Sequence, residues 1–151
     1  VDANLNWVFA KNLIANHAKF DKAKMYNTFL YNGSFKQARF NNVKAKKAIF
    51  KKANLSMANF SNAKLSGAIF EEATLLHTKF GEAFLKEASF YDAKITYADF
   101  KGANLFMSNF RWATLDNIQY NEETVFFKSL FGLYNDLKYW DIDYTDLIHF
   151  F

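Results

Sequence analysis

The apolar positions of this chain recur every fifth residue. From Phe20 to Leu115, 19 of 20 such positions carry a large apolar side chain, and Ala45 is the exception. Two residues earlier in each unit, from Ala18 to Ala113, 15 of 20 positions are alanine. The others are Thr28, Gly33, Val43, Thr78 and Ser108. The remaining three positions of most units are Lys, Asn, Ser, Glu or Asp. The phase holds for about 100 residues without an insertion. A period of five matches neither the helical repeat nor the strand repeat. It predicts one side of a square coil per unit, closed by four units, with the central residue and the small residue before it pointing inward. From residue 50 onward phenylalanine alternates with Leu or Ile. Four units per coil then place Phe20, Phe40, Phe60, Phe80 and Phe100 on one side and Phe50, Phe70, Phe90 and Phe110 on the opposite side. Large and small residues alternating round the square fill the interior without clashes.

The units read Ala53-Asn54-Leu55-Ser56-Met57, Ala58-Asn59-Phe60-Ser61-Asn62, Ala98-Asp99-Phe100-Lys101-Gly102 and Ala103-Asn104-Leu105-Phe106-Met107. Over roughly residues 3–120 the chain resembles the pentapeptide-repeat family, whose pattern is A-(D/N)-L-x-x. The resemblance implies an all-β solenoid, the right-handed quadrilateral β-helix, here of about six coils. Units before residue 18 keep the phase but not the sizes, as in Val8 with Ala10 and Leu13 with Ala15. The outward Asn54, Asn59, Asn104 and Asn109 read as backbone and ladder hydrogen-bonding groups. Some relatives bind type II topoisomerases and confer quinolone resistance by imitating DNA, and others are effectors or lumenal proteins. That range makes the family a guide to fold more than to role.

After Tyr120 the phase fades, so the expected division is a β-helix over 1–120 and a C-terminal segment over 121–151. Phe126, Leu130, Leu133, Leu137 and Trp140 follow helical spacing, as do Phe127, Phe131 and Tyr134. They predict a helix from about Glu122 to Tyr139, with Glu122 and Glu123 in its first turn and a second short helix near Thr145 to Phe150. Such a helical cap would cover the open end of the solenoid. Phe126, Phe127, Leu130, Phe131, Tyr134, Trp140, Phe150 and Phe151 are the expected cap contacts, or the contacts of a homodimer formed through this end.

The formal net charge of +4 hides an uneven distribution. From Ala3 to Phe70 there are twelve Lys or Arg and one acid, Asp21, whereas Glu71 to Phe151 holds seven bases and thirteen acids. Residues 20 apart stack, so Lys24, Lys44 and Lys64 form a ladder beside Lys46 and Lys47, with Lys19 over Arg39 on the next side. This basic strip is the candidate partner-binding face, for an acidic protein, nucleic acid or anionic membrane. It weakens the alternative of a gyrase-binding DNA mimic, which needs an acidic surface. Exposed Phe84 and Phe106 on one side suggest a small apolar patch.

Candidate chemistry is sparse. His17 and His77 lie three coils apart, His149 is isolated, and Glu71, Glu72, Glu82 and Glu87 are outward acids without a cleft. There is no cysteine, no zinc spacing and no phosphate-binding glycine loop. No apolar run has the length of a membrane span. The expectation is a non-enzymatic, bacterial interaction scaffold without a cofactor or small-molecule substrate, with the cytoplasm as the default location.

Overall fold

The computed structural model describes residues 3–131, which form a β-solenoid of four-sided coils. Parallel bridges join residues 20 apart, as in Asn4 to Lys24, Lys24 to Lys44 and Lys44 to Lys64. Two segments are long enough to count as strands, β1 (Lys94–Thr96) and β2 (Thr114–Asp116), and they pair in parallel with Ile95 opposite Leu115.

One unit shows why five residues suffice. In the unit centred on Ala45, the Lys44 amide donates to the Ala23 carbonyl of the coil before at 2.9 Å. The Ala45 and Lys47 amides donate to Lys64 and Ser66 of the coil after, at 2.8 and 3.0 Å. The Ala48 amide donates back to Ala45 at 3.1 Å and closes the corner. Only the amide one residue past the centre is left over. Asn54, Asn59, Asp99, Asn104 and Asn109 each accept that amide within their own unit, at 2.9–3.1 Å. In three further units the coil before supplies the acceptor, as when Asp21 accepts from the Asn41 amide. With four of five amides committed to the backbone ladder, a proline-free sequence follows, because proline has no donor.

The corner residue, two past each centre, has φ between 49° and 67° in nearly every unit, including Trp7, His17, Lys22, Lys47, Glu87 and Trp112. A positive φ at the third residue of a four-residue turn is the type II pattern. It disfavours side chains other than glycine by about 1–2 kcal/mol. From Trp7 to Met107 the corner amides are bonded to the next coil, as Lys22 is to the Asn41 carbonyl at 2.9 Å. The ladder therefore holds the strained corner in place.

The interior is aromatic. Phe40, Phe60, Phe80 and Phe100 stack nearly parallel, with centroids 4.5, 5.3 and 5.1 Å apart. Phe50, Phe70, Phe90 and Phe110 do the same on the opposite side at 5.2, 5.2 and 4.8 Å. The two columns meet edge to face, for example Phe60 on Phe70 at 84°. Ring edges then touch ring faces, the arrangement the aromatic quadrupole favours. The buried hydroxyls at small inward positions are bonded to carbonyls, with Thr78 donating to Leu55 at 2.9 Å and Thr28 to Leu5 at 2.8 Å. Val43 and Ala45, both fully buried, reverse the usual size order within one unit, so the volume is conserved. Val8 with Ala10 and Leu13 with Ala15 are the same reversal in the first coil, where they are less well covered.

The helix expected from Glu122 is not formed in residues 122–131. The solenoid continues instead, with Val125 bridged to Asn104 and Leu130 to Asn109, an offset of 21 rather than 20. One extra residue is taken up in the turn where the Thr124 amide donates to Asn121 at 3.0 Å. The five-residue phase resumes one position later. Phe126 enters the core with 1% exposure, and Phe131 stacks on Phe110 at 5.2 Å. Apolar residues at 126, 127, 130 and 131 satisfy a helical period and a shifted five-residue period equally. The neighbouring ladder decides between them. The rest of that helix and the short one near Thr145 to Phe150 lie outside the described residues.

Two stability predictions follow from this packing. Phe60→Ala should cost about 3–5 kcal/mol in urea unfolding, as a fully buried ring is lost from a column. Val43→Ala and Ala45→Leu should each destabilise, the first by a cavity and the second by about 1–3 kcal/mol of overpacking. The double variant should cost less than the sum, and strict additivity in the unfolding free energies would refute the size exchange.

Candidate functional site

A stack with a 20-residue period sorts outward residues by side, whatever their place in the sequence. The side built on units centred on Leu5, Met25, Ala45, Leu65, Leu85, Leu105 and Phe126 carries Lys24, Lys44, Lys46, Lys47, Lys64, Lys86 and Lys128. Among the described residues its only acid is Glu87, which lies 3.5 Å from Lys86. The other sides are mixed. The unit column from Leu30 to Phe110 sets Lys51 and Lys52 against Glu71 and Glu72, at 3.1–3.3 Å. The column from Phe20 to Phe100 sets Arg39 against Asp21 at 2.6 Å. Acids and bases therefore meet on these two sides, and bases are concentrated on the first.

Of the residues singled out from sequence, Lys24, Lys44, Lys46, Lys47 and Lys64 fall together on the basic side and are exposed. Among the described residues none of them has a carboxylate within ion-pair distance. Lys22, across the corner, joins Lys24, Lys44 and Lys64, with Asn42 and Asn62, in lining a shallow groove. Lys19 and Arg39 bridge each other on the adjacent side, as expected, but the ion pair to Asp21 largely neutralises Arg39. Sequence reasoning missed Lys22, Lys86 and Lys128. Their spacing from the ladder, taken modulo 20 with the later shift of one, was the signal for the last two.

The lysine column ends in Phe84, which bridges Lys64 and is 53% exposed. Below it Phe106 packs on Phe127 at 5.9 Å, with Met107 and Val125 exposed beside them. The Lys86 and Lys128 ammonium groups lie 5.4 and 5.5 Å over the Phe106 and Phe127 rings. Phe84 and Phe106 share a side, and the patch extends to Phe127. Among the expected cap or dimer contacts, Phe126 is buried in the core, Phe131 packs half-buried against it, and Phe127 and Leu130 are exposed. Tyr134, Trp140, Phe150 and Phe151 lie outside the described residues.

No group of three metal-ligating side chains occurs among the described residues. His77 is stacked on Tyr97 at 5.0 Å, three coils from His17. The pairs on the mixed side shift titrations in the usual directions. Hydrogen bonds donated to Glu71 and then Glu72 hold the Lys51 ammonium above its ordinary range. Glu72, bonded first to Lys52, is held below the ordinary carboxylate value, and Lys52 is raised in turn.

The five-residue coil, the buried Phe columns and the bonded Asn positions define a β-solenoid of repeated pentapeptides. The family described as a pentapeptide repeat region matches residues 13–90, just over half of the chain, and the chain belongs to that family. Among solved structures, a pentapeptide repeat protein from the Arabidopsis thaliana thylakoid lumen is 28% identical, with a TM-score of 0.50. That alignment covers 60% of this chain and 66% of the other, just under two thirds of its length. HetL of the cyanobacterium Nostoc, a pentapeptide repeat protein involved in heterocyst differentiation regulation, is 19% identical over 78% of this chain and 72% of that one, TM-score 0.43. Full-length QnrB1, a plasmid-mediated fluoroquinolone resistance protein, is 16% identical over 94% and 97%, TM-score 0.33. The search of curated proteins found no match.

The Glu72 pairs generate a pH prediction. A carboxylate whose folded value is lowered stabilises above its unfolded value, near 4.3, and that increment disappears as pH falls through the folded value. Glu72→Gln should therefore narrow the difference in melting temperature between neutral and acid pH. The effect is small because the pairs are exposed to solvent. An NMR titration placing the Glu72 carboxyl at or above the ordinary value would contradict the pairing.

Proposed function

We propose that this protein is a non-enzymatic binding scaffold whose working surface is the lysine-rich side, and that its partner is polyanionic. The observation that carries this is the segregation of charge by side. Lys24, Lys44, Lys46, Lys47 and Lys64 are unpaired on one side, while acids and bases meet on two of the others. Like charges stacked one coil apart repel by about 1 kcal/mol in water, and a bound anion relieves that repulsion. The interior is filled by Phe and Leu, so function falls to the outer surface. Acidic proteins, nucleic acids and anionic lipids all belong to this partner class. Mimicry of duplex DNA is less well supported, since no side carries a clear acidic excess among the described residues.

Retention on immobilised heparin, a generic polyanion, is the direct test. The protein should bind at low salt, and Lys24→Gln/Lys44→Gln/Lys64→Gln should elute markedly earlier. A matched variant on other sides of the coil, Lys36→Gln/Lys79→Gln/Lys94→Gln, should elute nearly unchanged. Equal losses for the two variants would mean that net charge, and not the side, governs binding.

A further inference from the structure

We infer that the lysine-rich side is a docking surface for an anionic lipid bilayer, an inference that rests on the polyanion reading above. Two different kinds of contact occupy one plane. The first is the unpaired lysine cluster around Lys44. The second is the exposed apolar group of Phe84, Met107, Val125 and Phe127, with 53%, 47%, 39% and 43% exposure. The column Lys44, Lys64, Phe84, Asn104 is a continuous bridged ladder, so both contacts are held on the same straight side. A planar surface can then meet both at once. Stable association with a bilayer generally needs two signals, apolar insertion and attraction to anionic headgroups.

The composition of the apolar group separates a bilayer from nucleic acid. Single strands are held by aromatic faces on which bases stack. Here Met107 and Val125 offer no such face, and Lys86 and Lys128 already lie over the Phe106 and Phe127 rings. Aliphatic and aromatic side chains serve equally in hydrocarbon, and lysines over rings are placed to reach phosphates as the rings enter. Trp7, 70% exposed at the corner of the same side, adds an interfacial aromatic at the opposite end.

The test is co-sedimentation of the whole protein with vesicles of phosphatidylcholine, with and without phosphatidylserine. Binding should require phosphatidylserine and should fall as salt rises from about 0.1 M to about 1 M, where the screening length drops from about 10 Å to about 3 Å. Each lysine near an anionic surface contributes roughly a fivefold factor, so Lys44→Gln/Lys64→Gln should weaken partitioning by about 25-fold. Phe84→Ser/Phe127→Ser should also weaken it while leaving the salt dependence unchanged. Both pairs are outward, and circular dichroism would confirm that the coil is kept. Absence of binding to phosphatidylserine vesicles at low salt, with heparin retention intact, would overturn the membrane inference and leave the polyanion reading standing. Loss of heparin retention as well would overturn both. Preference for a single-stranded oligonucleotide over phosphatidylserine vesicles, through the same lysines, would replace the bilayer by nucleic acid.

Discussion

The parallel ladder between successive coils is the constraint from which the rest of the structure follows. Four of the five amides in a unit are bound by it or by the corner it supports. It sets the coil spacing near the 4.7–4.9 Å of paired strands, and ring stacking tolerates that spacing well. The Phe columns are therefore a consequence of the backbone register as much as a cause of it. The ladder also explains why one inserted residue at Asn121–Thr124 does no lasting damage. Bulging one corner leaves one unit irregular, whereas abandoning the ladder would strand a row of buried or edge amides. A helix at 122–131 would have had to forgo the bonds that Leu105 and Phe110 make to Val125 and Leu130, each 2.7 Å.

Much of this was legible in the sequence, and the failures have physical reasons. The unbroken phase from Phe20 to Leu115 was enough to place Phe20, Phe40 and Phe60 in one column and Phe50 and Phe70 in another. The outward Asn54, Asn59, Asn104 and Asn109 were readable as hydrogen-bonding positions, because a short side chain before each centre reaches the one spare amide. The helix over Glu122 to Tyr139 was misread because periodicity is blind to register. A slip of one residue turns Phe126 and Phe131 into core positions without changing the local apolar pattern. The Val43 and Ala45 exchange looked like two exceptions, since volume is conserved in space and not position by position.

Charge tells a similar story. Along the sequence, bases dominate the first half and acids the second. In the fold that gradient is cut across by a division between sides. Arg39, counted as part of a basic strip, is matched by Asp21 from the coil above. Lys86 and Lys128, which belong to the acidic half by sequence, extend the basic side to the far end of the described solenoid. Linear composition averages over all four sides of each coil. The 20-residue period, with its shift of one, separates them.

The corners show how such a fold allows a surface to specialise. A left-handed residue every fifth position is a recurrent cost of about 1–2 kcal/mol, and glycine would remove the steric part of it. Yet only Gly67 and Gly102 occupy described corners, and the rest include Lys, Glu, His, Met and Trp. Bonding of the corner amide to the next coil and the burial of two inward residues per unit offset that cost. With stability carried inside, the outward positions of each unit, apart from those whose Asn or Asp accepts the spare amide, are released from packing. Nothing in the core requires a run of unpaired lysines passing into exposed Phe84 on one straight side, and it is this surplus that the proposed polyanionic partner would account for.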